Sequence, residues 1–313
     1  MSIPTIHEII LKGALPLRKA KTTKAPYLFI APALILLLLF SIIPIFVAFF
    51  ISFTDMSLVG LADWSQIKFV AFKNYQDIVL DPVFLKSIKN TLFYVVFGVP
   101  VVIALSMGLA LMINFGKNRI FSAFRMIFYT PAITNVVAVA VVFAYLYNPS
   151  FGFLNYLLSL LHIDAVPWLT NPVMAKISLI ILGVWRAVGA NMLIFLAAIQ
   201  GIPKELYEAA SLDGASKRQQ TWYITIPSLR FSTFFVTVTT LIGWLQFFEE
   251  PFVLTNGGPL DSTTSVALFI YRNGFQLSKF GYAAAGSFIL FAAIIIVTLL
   301  QFRMQRKNAE NQL

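Results

Sequence analysis

Six stretches of this chain are apolar and long enough to cross a lipid bilayer, which takes about 20 such residues each. They cover about 27–53, 88–114, 126–147, 174–199, 231–252 and 282–302. Hydrocarbon offers no water to bond with the backbone, so each stretch is predicted to satisfy itself as a helix. The expected fold is therefore all-α: a polytopic membrane protein of six transmembrane helices. Composition agrees, with 59% hydrophobic and only 12% charged residues among 313, where soluble domains carry roughly 25% charge. The first stretch is too long for a cleaved signal core of about 7–15 residues and reads as a retained span. Pro32 and Pro44 within it are expected to kink the helix.

Charge sets the expected orientation. Fifteen of the 23 Lys and Arg fall in four segments: 1–26, the turn after the second span, 199–230 and the C-terminal end. Only five fall in 54–87, 148–173 and 253–280. Basic residues stay on the cytoplasmic side, so both termini are expected inside and those three segments outside. The net charge of +10 is thus assigned to topology and the lipid interface, and no nucleic-acid partner is expected. The external segment 148–173 holds Asn155 and Trp168 among Pro and Gly signals, which predicts a folded loop at the outer interface. The expected organisation is a basic cytoplasmic segment 1–26, a transmembrane domain 27–303 and a cytoplasmic tail 304–313.

Several chemistries are absent. The chain has no cysteine, which excludes disulfides and thiolate metal sites. His7 and His162 lie outside the spans without clustered carboxylates, so no metal site is expected. No Gly-x-x-x-x-Gly-Lys-Ser/Thr loop occurs, and the chain is not expected to bind ATP itself.

Between the fourth and fifth spans, 201–227 collects charge and small residues. Pro203 and Glu205 suit a helix start, and Leu206, Ala209 and Ala210 share one face. Gly214 is placed to end that helix and Ser216 to cap a second. The second helix is expected to stop before Pro227. This predicts a cytoplasmic helix–turn–helix with a small apolar face, shaped to dock. The spacing Glu208-Ala209-Ala210, Gly214, then Ile224-Thr225-Ile226-Pro227 resembles the cytoplasmic coupling loop of importer permeases of the ATP-binding cassette class, with Ile226 in place of the usual Leu. Two external segments resemble the carbohydrate-uptake branch of that family: Phe72-Lys73-Asn74-Tyr75 with Asp81-Pro82, and Leu254-Thr255-Asn256-Gly257-Gly258-Pro259.

Charged groups at membrane depth are costly and are functional candidates. Arg186 is the foremost, with Glu249 and Glu250, near the outer end of the fifth span, as possible partners. It reads either as a substrate ligand or as half of a structural ion pair, and it tilts the expectation towards a substrate with acidic groups. Trp244 lies in mid-span, where its N–H needs a partner, and could stack on a sugar ring. Gly183, Gly189, Ser106, Gly108, Ala284, Ala285 and Gly286 are expected to let helices approach closely.

The resemblance implies a type I importer of sugars or oligosaccharides, located in the inner or plasma membrane of a bacterium or archaeon. Its implied partners are a second permease subunit, ATPase subunits that bind ATP and Mg²⁺, and an extracytoplasmic solute-binding protein. This chain would be non-catalytic and would carry no cofactor. Glu208, Ala209, Ala210, Asp213 and Gly214 would couple to the ATPase. Counting from that loop without gaps, Arg186, Ala187, Ala190, Thr240, Trp244 and Phe247 would line a mid-membrane sugar site. The side chains at most of these positions depart from the maltose-type pattern. A proton-coupled secondary transporter using Arg186 with Glu249 or Glu250 is the alternative; a membrane-embedded enzyme would need convergent acid, base or metal groups that the sequence lacks.

Overall fold

The computed structural model of the protein describes residues 25–114, 116 and 119–310. The basic segment 1–24 and Lys117 lie outside the described residues, so the expectations placed on them have no structural counterpart here. Among the described residues the chain is helical, with one isolated β-bridge between Thr54 and Phe69. Four helices are long and apolar enough to cross a membrane: α1 (Tyr27–Ile51), α3 (Pro82–Asn114), α7 (Pro172–Gln200) and α12 (Phe280–Arg306). Two bent pairs would bring the total to six, α4 (Ile120–Ile133) with α5 (Val136–Leu146), and α9 (Lys217–Ser228) with α10 (Arg230–Leu245). Shorter elements are α2 (Lys73–Leu80), α6 (Phe153–Leu160), α8 (Lys204–Leu212) and α11 (Val266–Tyr271). The described residues divide into two compact units, one ending at Ala48 and a larger one beginning at Phe49.

Prolines shape the helices in a way the sequence did not announce. In α1 a π-helical turn, Leu38–Ile42, runs directly into the turn holding Pro44. A second π turn, Thr221–Thr225, precedes Pro227, and α9 continues through that proline to Ser228 rather than stopping before it. A proline lacks the N–H of an ordinary turn and crowds the carbonyl four residues back; an extra residue in the preceding turn relieves that demand. The bend of 59° falls beyond it, between α9 and α10.

The third span is broken where one helix was expected. α4 and α5 meet at 99°, and Asn135 caps α5 by accepting from Val137 and Ala138 N–H. A polar Thr134-Asn135 pair after Pro131 gives the backbone an alternative to the helix ladder. α3 starts at Pro82, six residues earlier than expected, because Asp81 Oδ1 accepts from Val83 and Phe84 N–H. α12 likewise runs on as helix to Glu310, into the segment expected to be a tail.

Within the larger unit, α3 and α7 form the centre. One cluster joins Tyr94, Val99 and Val102 of α3 to Leu179, Val184 and Val188 of α7 and to Trp244 and Phe247. A second, towards the other end, holds Ala110, Ile113, Met192, Phe195, Leu229 and Val236. Ser106 Oγ donates to Val188 O at 3.1 Å, pinning α3 to α7. Any side chain at Gly189 would strike the Phe128 carbonyl of α4, so the glycine is what allows those backbones to meet. Gly98, unremarked in the sequence, does the same for α3 under the Trp244 ring. Gly108 faces open space instead, contrary to its expected packing role.

The loop 148–173 is folded, as expected. Asn155 accepts from Val166 N–H and from the Trp168 indole N–H, and donates to Pro149 and Val166 carbonyls.

Candidate functional site

The cavity at the centre of the larger unit follows from the early end of α10. A fifth span over 231–252 was expected, but α10 ends at Leu245 and the chain turns before a π turn at Pro251–Thr255. Glu249 and Glu250, expected near the outer end of that span, therefore lie against Arg186, halfway along the 29-residue α7. The cavity of about 560 Å³ is lined by Arg186, Ala187 and Asn191 of α7, by Thr239, Thr240, Gly243 and Trp244 of α10, and by Gln246–Glu250. Ala132, beside the break between α4 and α5, closes another side.

Five of the six residues assigned by sequence to a substrate site line this one cavity: Arg186, Ala187, Thr240, Trp244 and Phe247. Ala190 is partly buried and does not line it. Asn191 and Thr239 were missed, while Gln246, which the sequence places beside Trp244 as a polar contact for a sugar, also lines it. Asn191 was within reach of sequence reasoning, since it stands four residues after Ala187 on the same helix face.

Arg186 is paired. Its Nη1 donates to Glu250 Oε1 at 2.5 Å and to Glu249 Oε2 at 3.2 Å. The three formal charges sum to −1, so a bound acid would compete with carboxylates already in place. Arg186 Nε is buried and without a hydrogen-bond partner among the described residues. So is Thr240 Oγ1. Its neighbours on α10 behave differently: Thr237 and Thr239 bond back to carbonyls four residues earlier, Thr233 and Phe235. Buried hydroxyls are nearly always satisfied, so the unbonded Thr240 hydroxyl is an exception, on a residue that lines the cavity.

Trp244 corrects one expectation. It is 5% exposed, with one face stacked on Phe247 (centroids 4.9 Å apart, planes at 6°) and its ring seated on Gly98 and Gly183. In this conformation no face is open to stack on a sugar. The indole is a rigid wall of the cavity, set there by two glycines on facing helices.

The hairpin after α7 carries the second group of candidates. α8 spans Glu208, Ala209 and Ala210, with Asp213 at its C-terminal end and Gly214 beyond it at φ +78°, the left-handed region that favours glycine. Ser216 caps α9 in a reciprocal box with Gln219. Gln220 Nε2 donates to Ser211 Oγ at 2.8 Å, tying the two helices. No residue of α8 is buried, and Leu212 at its tip is 89% exposed. The face around the Glu-Ala-Ala triplet is thus presented outward.

Comparison with known proteins accords with this architecture. The family model "Binding-protein-dependent transport system inner membrane component" matches residues 83–309. The lactose transport system permease protein LacF of Rhizobium radiobacter is 34% identical over 288 residues, covering 90% of this chain and 94% of that protein. The arabinooligosaccharides transport system permease protein AraP of Halalkalibacterium halodurans is 32% identical, covering 88% and 86%. Among solved structures, a bacterial ABC transporter involved in import of the acidic polysaccharide alginate matches with TM-score 0.77 at 27% identity, over 90% of this chain and 95% of that one. The same kind of transporter bound to an alginate pentasaccharide-bound periplasmic protein matches with TM-score 0.74. With a two-helix hairpin at one end of α7 and a polar cavity at its middle, the chain belongs to the binding-protein-dependent transport system inner membrane component family, as a permease subunit similar to those of sugar importers of the ATP-binding cassette class.

Proposed function

We propose that the chain forms half of the translocation pathway of an ATP-driven sugar importer, non-catalytic in itself, and that the cavity between α7 and α10 holds the sugar in transit. The observation that carries this is one cavity lined by the Arg186–Glu249–Glu250 cluster, Asn191, Thr239, Gln246 and Thr240, whose buried hydroxyl has no hydrogen-bond partner among the described residues. Sugar hydroxyls donate and accept at once, which matches a site offering carboxylate acceptors, a guanidinium donor and a hydroxyl. Wall residues Ala187, Trp244 and Phe247 give shape.

Both termini and the 204–228 hairpin lie in the cytoplasm in this reading, because the basic residues collect there. The hairpin seats in an ATPase subunit that holds ATP and Mg²⁺, with Glu208, Ala209, Ala210, Asp213 and Gly214 at the contact. A second permease completes the pathway, and an extracytoplasmic binding protein delivers the sugar, as one does for the alginate transporter.

A neutral sugar fits the cluster best, since Arg186 is already neutralised by two carboxylates. An acidic sugar is the second reading; the similarity to the alginate transporter favours it, and it requires that the glutamates release Arg186. The test is uptake into vesicles holding the whole transporter, with neutral oligosaccharides and a uronate oligosaccharide as probes. Thr240→Val and Arg186→Ala are expected to lose uptake while ATPase assembly persists. Wild-type uptake by both would place the sugar elsewhere. Uptake that needs a proton gradient and not the ATPase would favour the proton-coupled alternative built on Arg186 and Glu250.

A further inference from the structure

A second cavity, of about 430 Å³, opens where α3, α4, α7 and α8 converge at the hairpin end of the molecule. Its polar lining is Asn114, Ser122, Arg125, Gln200, Lys204 and Tyr207. None of its lining residues is acidic. Neither Arg125 nor Lys204 is among the ion pairs of the described residues, and Arg125 Nε is buried without a hydrogen-bond partner. Two cations outside the ion pairs of the described residues thus flank a polar recess where α3 and α7 end. Planar guanidinium donors match phosphate oxygens two at a time, while lysine supplies a point charge.

We propose that this recess binds a phosphate group, presented by an anionic lipid headgroup or by free phosphate. Basic pockets between spans on the cytoplasmic side have the character that holds anionic headgroups, and the volume is that of a small-ligand site. Because Lys204 and Tyr207 belong to α8, a phosphate here touches the start of the proposed coupling helix. Assigning the cytoplasmic leaflet rests on the orientation proposed above; binding itself does not.

Native mass spectrometry of the purified whole transporter tests this with phosphatidylglycerol, phosphatidylcholine of the same chain length, and inorganic phosphate. The wild type is expected to retain phosphatidylglycerol over phosphatidylcholine. Arg125→Gln is expected to lower that preference about five-fold, the factor for one basic side chain near an anionic surface, and Arg125→Lys to restore part of it. If millimolar phosphate displaces the lipid or binds in its place, the recess is a site for soluble phosphate. Should Arg125→Gln fail to assemble, Lys204→Gln carries the same expectation. Full retention of the lipid preference, without phosphate competition, by whichever variant assembles would overturn the proposal.

Discussion

Two Gly- and Pro-containing segments, the hairpin 204–228 and the shorter 256–265, differ in where their polar groups go. The hairpin over α8 and α9 keeps its hydrogen bonds local: a capping box, a positive-φ glycine and a Gln220–Ser211 bond nine residues apart. The segment 256–265 is held from far along the chain. Asn90 of α3 donates to Asp261 and Thr264 carbonyls, and Tyr94 donates to Thr263 O. Thr91 accepts from Val266 N–H, and Lys86 donates to Leu260 O. Thr263, Thr264 and Ser265 are fully buried, whereas every residue of α8 keeps some exposure. A segment that is locally self-sufficient can offer its outer face to another protein. One whose backbone depends on a distant helix is part of the core, although its composition resembles a loop.

The largest expected effect breaks the segment 256–265. Asn90→Leu strands two buried carbonyls, each worth about 1–3 kcal/mol when left unsatisfied. A fall of roughly 5–15 °C in the thermal midpoint of the purified complex is expected. An unchanged midpoint would mean that 256–265 is as loosely held as the hairpin.

In the hairpin, Gly214→Val forces a branched side chain into left-handed backbone at about 1–2 kcal/mol. Nothing lies within 4 Å of the added carbon, so global stability should barely move while the plug tilts. Binding-protein-stimulated ATPase activity is expected to drop about ten-fold, the factor for roughly 1.4 kcal/mol. Normal stimulation would remove the hairpin from coupling.

Smaller effects sharpen the contrast. Ser216→Ala loses the capping box, about 1 kcal/mol of local helix stability, read by faster proteolysis of 204–228. Arg272→Gln breaks the 2.9 Å pair with Asp261, partly exposed and worth about 0–1 kcal/mol, and with it the donations to Thr264 Oγ1 and the Asn256 carbonyl, each about 0.5–1.5 kcal/mol; a midpoint fall of a few degrees is expected, and an unchanged midpoint would contradict that. Leu212→Ala removes a side chain that is 89% exposed, so stability should change by less than about 0.5 kcal/mol. Binding of the ATPase subunit should nevertheless weaken. Equal ATPase affinity would show that the exposed tip is not the contact.

Much of this was legible from residues alone. The spans at α1, α7 and α12 were found within a few residues, because about 20 apolar side chains in hydrocarbon leave helix as the only solution. Asn155 and Trp168 announced a folded loop through turn chemistry. The hairpin was read almost residue by residue, Gly214 and Ser216 included, since caps and turns depend on neighbours within a few positions. Its second helix was misjudged at Pro227, where a π turn carries the chain on.

What the sequence determined is thus the membrane class, the helix-rich fold and the local geometry of the hairpin, all set by interactions short in sequence or by the solvent itself. Only the tertiary structure decided that α4 and α5 break at 99° and that α10 ends at Leu245. Those two endings set Glu249 and Glu250 against Arg186, and they enclose Trp244 between Phe247 and Gly98 rather than leaving it open. Each depends on contacts between residues 60 to 150 positions apart, and no local propensity encodes which surfaces meet.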